Sequence, residues 1–509
     1  EEFEKTFLCF RYQVVYCPVQ RKMIYSNDIN NSICKLDTIQ RSDKNEKGNP
    51  QTIKSLIQVA ELTGSEESDD DQKIVVEVED SWTYALVQKI IKNKEHKGKC
   101  KIIAVQMNVI LGQILSQFSL MPELNLAYNE LFSNKGETFF AVEDKQRTQA
   151  ISDELNKKAK PESNAEKLER ELLYAKKYLE EHLYSVPLGT MDYDGKGYIY
   201  YATDSIDNID KKTKESYQPI KLDINHDYWL RKKNVIILGH NSKIKDIMNG
   251  FDSFRGEWNR EDEEILNIMV IDDEKHLKQM NYYEKYKDYV RTCQAEIYEK
   301  EKIHDEIVNF IDSNVEDTSI LILSDDNVVN EEIDSTALAN LIYVQDIKKE
   351  KIEQDPNYDL GRIDVMIELL NPRHHDIVRS FSVNNVVISN RYISKMITQL
   401  GEKPELFAFY NDILSYDEED STDYNSKEIY SKYADGFFNT LPEKTTADKL
   451  VRGIFEATSD PTLPKEKQNP TIMLGYVKPN RDIVLFSGNL SKIEVELEKD
   501  DKIIVFSAH

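Results

Sequence analysis

Cysteine is scarce in this sequence and is not arranged in a metal or redox motif. The cysteines are odd in number, scattered, and form no CxxC pair: Cys9, Cys17, Cys34, Cys100 and Cys293. Such usage is typical of a reducing compartment and gives no zinc-thiolate or thioredoxin-like motif. The sequence also lacks a secretory signal and any apolar run near the ~20 residues that span a bilayer.

Positive charge is also in short supply. The chain has 66 Lys and Arg against 92 Asp and Glu, a formal net charge of −26. Binding to nucleic acid needs a basic surface, because the phosphate backbone dominates affinity. Docking on anionic lipid has the same requirement. We therefore expect no nucleic-acid partner, whereas cationic partners are compatible with this charge.

The sequence has the length and composition of a globular protein with several domains. Its 509 residues are 40% hydrophobic and 10% aromatic, enough for three or four domains of ~150 residues each or two larger ones. The chain begins at Glu1 rather than methionine. We therefore expect a fragment of a longer protein, with room for a membrane segment upstream.

One helical phrase occurs twice. PELNLAYNELFS (Pro122 to Ser133) and PELFAFYNDILS (Pro404 to Ser415) are identical at six of twelve positions. The segments before them also correspond, because Lys73 to Val87 and Ile363 to Val378 both predict a buried strand, a Glu, a capping Asp or Asn and a helix. A second apolar strand and another helix follow in each case. The chain therefore contains two copies of one strand–helix unit.

Alternating buried strands and helices predict an α/β fold with a parallel sheet in each copy. Each copy is followed by a helical link and a small β-rich lobe; the hairpin at Val186 to Asp204, with Asp194-Gly195 at its turn, belongs to the first. The first copy has no clear opening strand, and Met23 to Asp28 is its candidate second strand. We predict a first Rossmann-like lobe at 1–150, its link and β-rich lobe at 151–230, a second Rossmann-like lobe at 231–425 and a second β-rich lobe at 426–509.

The blocks resemble those of tandem RCK domains and, more closely, the cytosolic region of the CASTOR/POLLUX family of ion channels. The resemblance covers most of the chain from Arg41 onward. The segments that carry it are SDKNEKGNPQTIKSLIQVAELTG (Ser42 to Gly64), VVEVED (Val75 to Asp80), the helix through PELNLAYNELF, and NVIILGHNSKIKDIM (Asn234 to Met248). The last segment lacks the second glycine of a dinucleotide fingerprint, which is also a feature of that family.

The resemblance implies a regulatory role at the cytoplasmic face of a membrane. In such channels a ligand such as calcium or a nucleotide binds the RCK lobes, changes their packing in a homotetrameric ring, and opens a cation pore such as that of a potassium channel. The pore-forming membrane segment would lie in the same parent chain or in a separate subunit. The resemblance also implies that the repeated helix pairs lobes, with apolar contacts from Leu124, Leu126, Tyr128, Leu406, Phe409 and Tyr410.

The residues themselves indicate a nucleotide site in the second copy. Gly239, His240, Asn241 and Ser242 lie between a strand and a helix, where backbone N–H groups favour anions. Asp272 ends the next strand, where dinucleotide-binding proteins hold the ribose hydroxyls. The alternative is that Gly239 only makes a tight turn, since no GxGxxG fingerprint is present.

The same strand ends also suggest a cation site. Asp272 and Asp273 end one strand, and Asp325 and Asp326, followed by Asn327, end another. The carboxyl ends of such strands meet at one crevice, and oxygen ligands suit calcium better than a transition metal. The alternative is a solvated strand edge.

Two other classes of function stay open at this point. One is a soluble nucleotide-sensing subunit of a transporter, and the other is a nucleotide-dependent enzyme on a doubled Rossmann scaffold. An enzyme would need a full glycine fingerprint and a candidate acid, base or nucleophile. The sequence offers no Ser-His-Asp or Cys-His set, so we predict no catalytic residues and no enzymatic activity.

Overall fold

The computed structural model describes two compact units. Unit 1 comprises residues 1–111 and 390–407, and unit 2 comprises residues 112–389 and 408–509. The residues described are 13–17, 22–25, 53–54, 56–57, 72–78, 81–94 and 100–507, the last range with gaps at 134–135, 157, 161–162, 182, 212–219, 229, 259–264, 280–285, 297, 315–316, 327–332, 382, 384, 415–426 and 465–466.

Unit 1 is built on a mostly parallel sheet of four strands in the order β2-β1-β3-β4. Strands β1, β3 and β4 run parallel, and β2 runs antiparallel to β1 at the edge. Its described elements, in chain order, are β1 (Gln13–Cys17), β2 (Lys22–Tyr25), β3 (Gln72–Val78), α1 (Ser81–Lys94), β4 (Cys100–Gln106), the first turn of α2 (Met107–Leu120), most of α11 (Ser389–Glu402) and the first residues of α12 (Leu406–Leu414).

The first sheet has a parallel strand ahead of β3, where the sequence suggested a worn or missing one. Strand β2 overlaps the segment proposed as a second strand (Met23 to Asp28), but it is an antiparallel edge strand. The core of this sheet is apolar, because β-branched side chains of β3 and β4 face helix α1. Its buried members are Leu56, Ile74, Val76, Val78, Val87, Ile102 and Ala104.

Unit 2 contains a parallel sheet of six strands in the order β11-β10-β9-β12-β13-β14. The strand order reverses between β9 and β12, so a crevice forms outside their carboxyl ends. The elements are β9 (Lys233–Leu238), α6 (Ile244–Trp258), β10 (Leu266–Asp272), α7 (Glu274–Gln279), β11 (Val290–Gln294), α8 (Lys300–Asp312), β12 (Thr318–Ile322), α9 (Ser335–Gln354), β13 (Ile363–Leu369), α10 (His375–Arg379) and β14 (Asn385–Ile388).

The central strands of this sheet are buried on both faces. All residues of β12, and all but the first of β9, are buried, as expected for parallel strands covered by helices. Helices α8 and α9 pack one face through Ile307, Phe310 and Leu341, each fully buried. This rigid sheet fixes where the loops at its carboxyl edge stand.

The rest of unit 2 is rich in antiparallel strands. These form two larger sheets, β5-β7-β6 and β15-β21-β18-β19, and two short pairs, β16-β8 and β17-β20. The elements are α3 (Leu124–Leu131), β5 (Thr138–Asp144), α4 (Lys145–Leu155), α5 (Asn164–Glu181), β6 (Val186–Tyr193), β7 (Lys196–Thr203), β8 (Asp223–Ile224), β15 (Glu428–Tyr433), α13 (Ala434–Phe437), β16 (Phe438–Thr440), β17 (Thr445–Thr446), α14 (Ala447–Thr458), β18 (Ile472–Val477), β19 (Ile483–Leu485), β20 (Glu494–Val495) and β21 (Lys502–Ser507).

The hairpin predicted around Asp194-Gly195 is confirmed. Strands β6 and β7 pair antiparallel, and the two turn residues have φ values of 53° and 71°, as a two-residue hairpin of the I′ type requires. The helical character predicted for the link after the first lobe is supplied by the end of α4 and by α5.

The two copies of the repeated phrase occupy equivalent local positions. Glu77 and Glu368 are each the next-to-last residue of a parallel strand, and both are buried. Tyr128 and Tyr410 are each the fifth residue of a short helix, α3 and α12, and both are fully buried. Superposition of the complete copies stays a prediction.

Residues from both repeated phrases contribute to one aromatic cluster in unit 2. Phe132 packs edge-on against Tyr410 with ring centroids 5.2 Å apart, and Phe139 against Phe409 at 4.8 Å. Leu126, predicted among the apolar contacts, is only half-buried, whereas its neighbours on α3 are buried. The phrase therefore recurs because both copies supply one face of the same core.

Helices α2 and α6 cross in unit 2 at two glycines. A Cβ on Gly112 would lie 2.5 Å from the Cβ of Asp246. A Cβ on Gly250 would lie 2.2 Å from the Oγ of Ser116. Since real Cβ contacts are longer, only glycine permits this approach of the two helices.

The predicted α/β class with parallel, Rossmann-like sheets and β-rich segments is confirmed. The four domain boundaries given above stay predictions. In the part of the chain that the structure describes, none of the helices combines the length and the apolar character needed to cross a bilayer.

Candidate functional site at the carboxyl edge of the six-stranded sheet

The loop between β9 and α6 depends on the glycine at its start. Gly239 has a φ of +90°, a conformation that L-residues with a Cβ rarely adopt. A Cβ there would also lie 3.0 Å from the carbonyl oxygen of Leu323. The chain thus turns sharply beside the end of β12 and presents the next residues at the start of α6.

Asp326 fills the position that an anion would take in this loop. Its two carboxylate oxygens each lie 3.1 Å from the backbone N of Ser242, which donates to them. The Ser242 hydroxyl also donates to this carboxylate, and the Nζ of Lys243 lies 3.5 Å from it. Backbone amide, hydroxyl and ammonium therefore converge on one negative group at the N-terminal end of a helix. We call this arrangement the anion cradle.

A buried network of hydrogen bonds and one ion pair supports the loop that carries the anion cradle. Asn241 is fully buried, and its Nδ2 donates to the carbonyl oxygen of Ser324 at 3.1 Å and to Glu368 Oε2 at 2.6 Å. Lys243 Nζ lies 3.3 Å from Glu368 Oε1, to which the Ser389 hydroxyl also donates. The side chain of Asn241 thus ties the loop to β12 and β13.

Charge in this network is set by competition between burial and pairing. Burial raises the pKa of Glu368, while Lys243 and the Ser389 hydroxyl oppose that shift. Burial also opposes charge on Lys243, but the carboxylates of Glu368 and Asp326 outweigh it and raise the Lys243 pKa. Lys243 therefore stays cationic beneath the cradle.

A second buried carboxylate positions the β12 and β13 loops. Asp334 is fully buried and accepts from the backbone N of Leu370 at 2.9 Å and of Asn371 at 3.0 Å. His374 Nδ1 lies 2.7 Å from the same carboxylate, and the Ser324 hydroxyl donates to it at 2.7 Å. The loop that leads to Asp326 is therefore anchored rather than loose.

The end of β10 forms a separate group with two histidines. Asp272 is 8% exposed; its Oδ1 lies 3.2 Å from His276 Nδ1, and its Oδ2 lies 3.4 Å from His240 Nδ1. The two imidazole rings stack with centroids 4.5 Å apart and planes 7° from parallel. Asp273 caps the following turn, because its Oδ1 accepts from the backbone N of His276 at 2.8 Å.

Burial shifts both titrating partners of this group toward neutrality. Burial, followed by the charge of His276, lowers the pKa of His240 to about 4. Burial raises the pKa of Asp272 to about 6, although the Asp273 amide and His276 oppose the shift. At neutral pH His240 is therefore uncharged, and an ionised Asp272 carries an unfavourable desolvation energy.

The structure places the predicted site residues in different roles. Gly239, His240 and Ser242 line the loop. The Asn241 side chain is instead buried, and its amide donates hydrogen bonds within the protein. Among the described residues, the only group bringing three ligand atoms within 4.8 Å of one another is His240, Asp272 and His276. The predicted four-carboxylate set of Asp272, Asp273, Asp325 and Asp326 is not such a group, and Asn327 lies outside the described residues. That cation site stays a prediction.

Sequence reasoning missed the residues that complete both groups. Lys243 was not singled out from the sequence, and Glu368 appeared only as the Glu of the second repeated strand. His276 follows Asp272 by four residues, one helical turn beyond a strand end. That short spacing, from the last residue of β10 into the first turn of α7, was the available signal.

The comparisons with known proteins give a fold-level likeness only. No family model matches the chain, and no curated protein matches it. Three solved structures that match are described as the GsuK RCK domain, the GsuK channel, and the GsuK channel bound to NAD. Their sequence identities are 10%, 10% and 9%, and their TM-scores are 0.30, 0.32 and 0.29.

The matches extend over most of this chain. They cover 88%, 90% and 86% of it, and 75%, 63% and 60% of the respective matched chains. The chain thus spans less than two thirds of the two channel chains. At such TM-scores the likeness carries no argument about function.

Proposed function

We propose that this chain is a ligand-sensing regulatory region whose second Rossmann-like sheet binds a nucleotide through its phosphate. The observation that carries the proposal is the anion cradle, in which Ser242 and Lys243 hold the Asp326 carboxylate. A cradle that binds an internal carboxylate has the donors for a phosphate oxygen. Ser242 is exposed, so an external anion reaches the same donors.

In this proposal Asp326 is an internal competitor for the ligand. A phosphate must displace its carboxylate before it gains the amide, hydroxyl and ammonium contacts. Displacement frees the β12 loop from the start of α6, so that the two loops hold different arrangements with and without ligand. A ligand shifts a conformational equilibrium only through such a difference in affinity between two states.

We further propose that this ligand sensing regulates the gating of a channel. The sequence resemblance to tandem RCK regions of the CASTOR/POLLUX type supports a homotetrameric ring at the cytoplasmic face of a membrane, acting on a cation pore outside this chain. A regulatory rather than catalytic role belongs to the same proposal. Static light scattering of the purified chain tests the assembly, and a monomer at high concentration would count against the ring.

Calorimetry with nucleotides tests the ligand. NAD, ADP, ATP and inorganic phosphate would each be titrated into the parent chain and into Asp326→Asn. We expect a nucleotide to bind the parent, and the variant to bind it on the order of tenfold more tightly, because the competing charge is gone. The matched control is Asp305→Asn, an exposed carboxylate on α8, which should leave affinity unchanged.

Two outcomes would overturn the proposal. One is the absence of heat with every nucleotide for both the parent and the Asp326→Asn variant. The other is nucleotide binding that weakens in Asp326→Asn, since that result would make Asp326 a ligand contact instead of a competitor. Circular dichroism on each variant establishes that the comparison is made between folded proteins.

A further inference from the structure

Three side chains at the end of β10, in the neighbouring loop and in α7 place nitrogen and oxygen atoms close together. His240 comes from the loop after β9, Asp272 from the last position of β10, and His276 from α7. Their ligand-type atoms all lie within 4.8 Å of one another. The three elements are adjacent because β9 and β10 pair in the parallel sheet.

Two atoms of this group have unmet hydrogen-bonding capacity. Asp272 Oδ2 and His240 Nδ1 are buried, face each other at 3.4 Å, and have no hydrogen-bond partner. Asp272 is more than nine-tenths buried. A buried polar atom without a partner costs about 1–3 kcal/mol, so such atoms are rare unless something else binds them.

A histidine–aspartate hydrogen bond explains only half of the arrangement. His276 Nδ1 and Asp272 Oδ1, at 3.2 Å, form such a pair. The same explanation fails for His240 Nδ1 and Asp272 Oδ2, which are close without a hydrogen bond. The stacked imidazole rings nevertheless bring both Nδ1 atoms to the same carboxylate.

The separations suit a small tetrahedral ion. With bonds of about 2.0–2.1 Å, a tetrahedral zinc site places its ligand atoms about 3.3 Å apart. The observed separations from Asp272 oxygens to histidine nitrogens are 3.2 and 3.4 Å. Two imidazoles with one carboxylate are ligands for zinc-class ions, whereas calcium and magnesium prefer oxygen alone.

We propose that His240, Asp272 and His276 bind a divalent transition-metal ion of the zinc class, with water as a fourth ligand. Asp273 is a positioning residue, because its Oδ1 accepts from the His276 backbone N at the start of the turn that carries this histidine. The proposal does not depend on nucleotide binding. The proposed site is a mixed nitrogen and oxygen site, distinct from the predicted all-oxygen site of Asp272, Asp273, Asp325 and Asp326, which stays a prediction.

The test is metal binding by the full chain after treatment with a chelator, in the absence of nucleotide. ZnCl2 and CaCl2 would be titrated separately into the parent, His240→Gln and His276→Gln. We expect Zn2+ to bind the parent at least about 100-fold more tightly than Ca2+, and each variant to lose about 100-fold or more of the Zn2+ affinity. His304→Gln, which changes a histidine on α8 paired with Glu350, should bind Zn2+ like the parent.

A spectroscopic measurement makes the test independent of variant folding. Co2+ bound to the parent should give the intense visible absorption of a tetrahedral site, and excess Zn2+ should remove it. Unchanged Zn2+ affinity in both folded histidine variants, or equal affinity for Ca2+ and Zn2+, would overturn the proposal. Either result leaves nucleotide binding at the anion cradle untouched, so the two proposals fail separately.

Discussion

Lys243 Nζ lies 3.3 Å from Glu368 Oε1, and both side chains are almost fully enclosed by protein. The lysine immediately precedes α6, and the glutamate is the next-to-last residue of β13. The pair therefore joins the loop that carries the anion cradle to a strand two positions away in the sheet. Because Lys243 also lies beside Asp326, we expect loss of this ion pair to displace the donors of the anion cradle.

Removing one partner of this pair should be more harmful than removing both. In Lys243→Met the Glu368 carboxylate stays buried without its cation, and we expect the free energy of unfolding to fall by about 3–5 kcal/mol. The double variant Lys243→Met with Glu368→Gln should recover at least half of that loss. Urea denaturation measures both; Lys245→Met, an exposed neighbour on α6, is the control and should change stability by less than about 0.5 kcal/mol. A double variant as unstable as the single one would contradict this account.

Gly239 and Gly256 should respond to alanine in opposite directions. Gly239→Ala combines a positive φ with a Cβ 3.0 Å from a carbonyl oxygen, so we expect destabilisation by about 1–3 kcal/mol. Gly256 lies inside α6 with open space around its Cα. Gly256→Ala should therefore stabilise by up to about 1 kcal/mol. Chemical denaturation of the two variants checks the contrast, and equal effects would show that the turn is not glycine-dependent.

Lys432 should make stability depend on pH in the alkaline range. It is 3% exposed, and its ammonium lies over the rings of Tyr228, Tyr430 and Phe437 at 5.6, 5.7 and 5.7 Å. These rings favour charge, yet burial lowers the Lys432 pKa to about 7 from 10.5. Below pH 7 the lysine is charged in both states, so the cost of burying it is fully present. Between pH 7 and 10.5 only the unfolded chain stays protonated, so raising the pH stabilises the fold.

Lys432→Met isolates this effect. We expect the variant to exceed the parent in stability by up to about 5 kcal/mol at pH 6, with the difference shrinking as the pH approaches 10. Urea denaturation at a series of pH values measures the difference. A gap that stays constant across the series would show that the buried lysine does not titrate there.

The sequence predicted the positions of the strand ends better than the partnerships between side chains. Gly239 and Asp272 were found because a glycine after a buried strand and an acid at the end of the next follow from the fold class. Asp326 was also found as a candidate cation ligand, which stays a prediction, but the hydrogen bonds that it accepts from the Ser242 amide and hydroxyl were not predicted. Which amide captures which carboxylate depends on the distance between two loops, and local sequence does not encode that distance.

The same limit explains the aromatic cluster. The repeated phrase identified both helices from their spacing of apolar residues. Its meeting with Phe139 of β5 was not predicted, because that contact joins segments that are far apart in the chain. Local periodicity predicts which face of a helix is buried but not which element covers it.

The crossing of α2 and α6 at Gly112 and Gly250 has a mechanical consequence. Helices separated by side chains accommodate a small displacement by changing rotamers, which absorbs the movement. At Gly112 and Asp246 the two helices approach without an intervening side chain from α2, so no rotamer change on α2 can absorb a displacement there. We therefore expect a shift of α6 at the anion cradle to move the adjoining turns of α2 in the same direction.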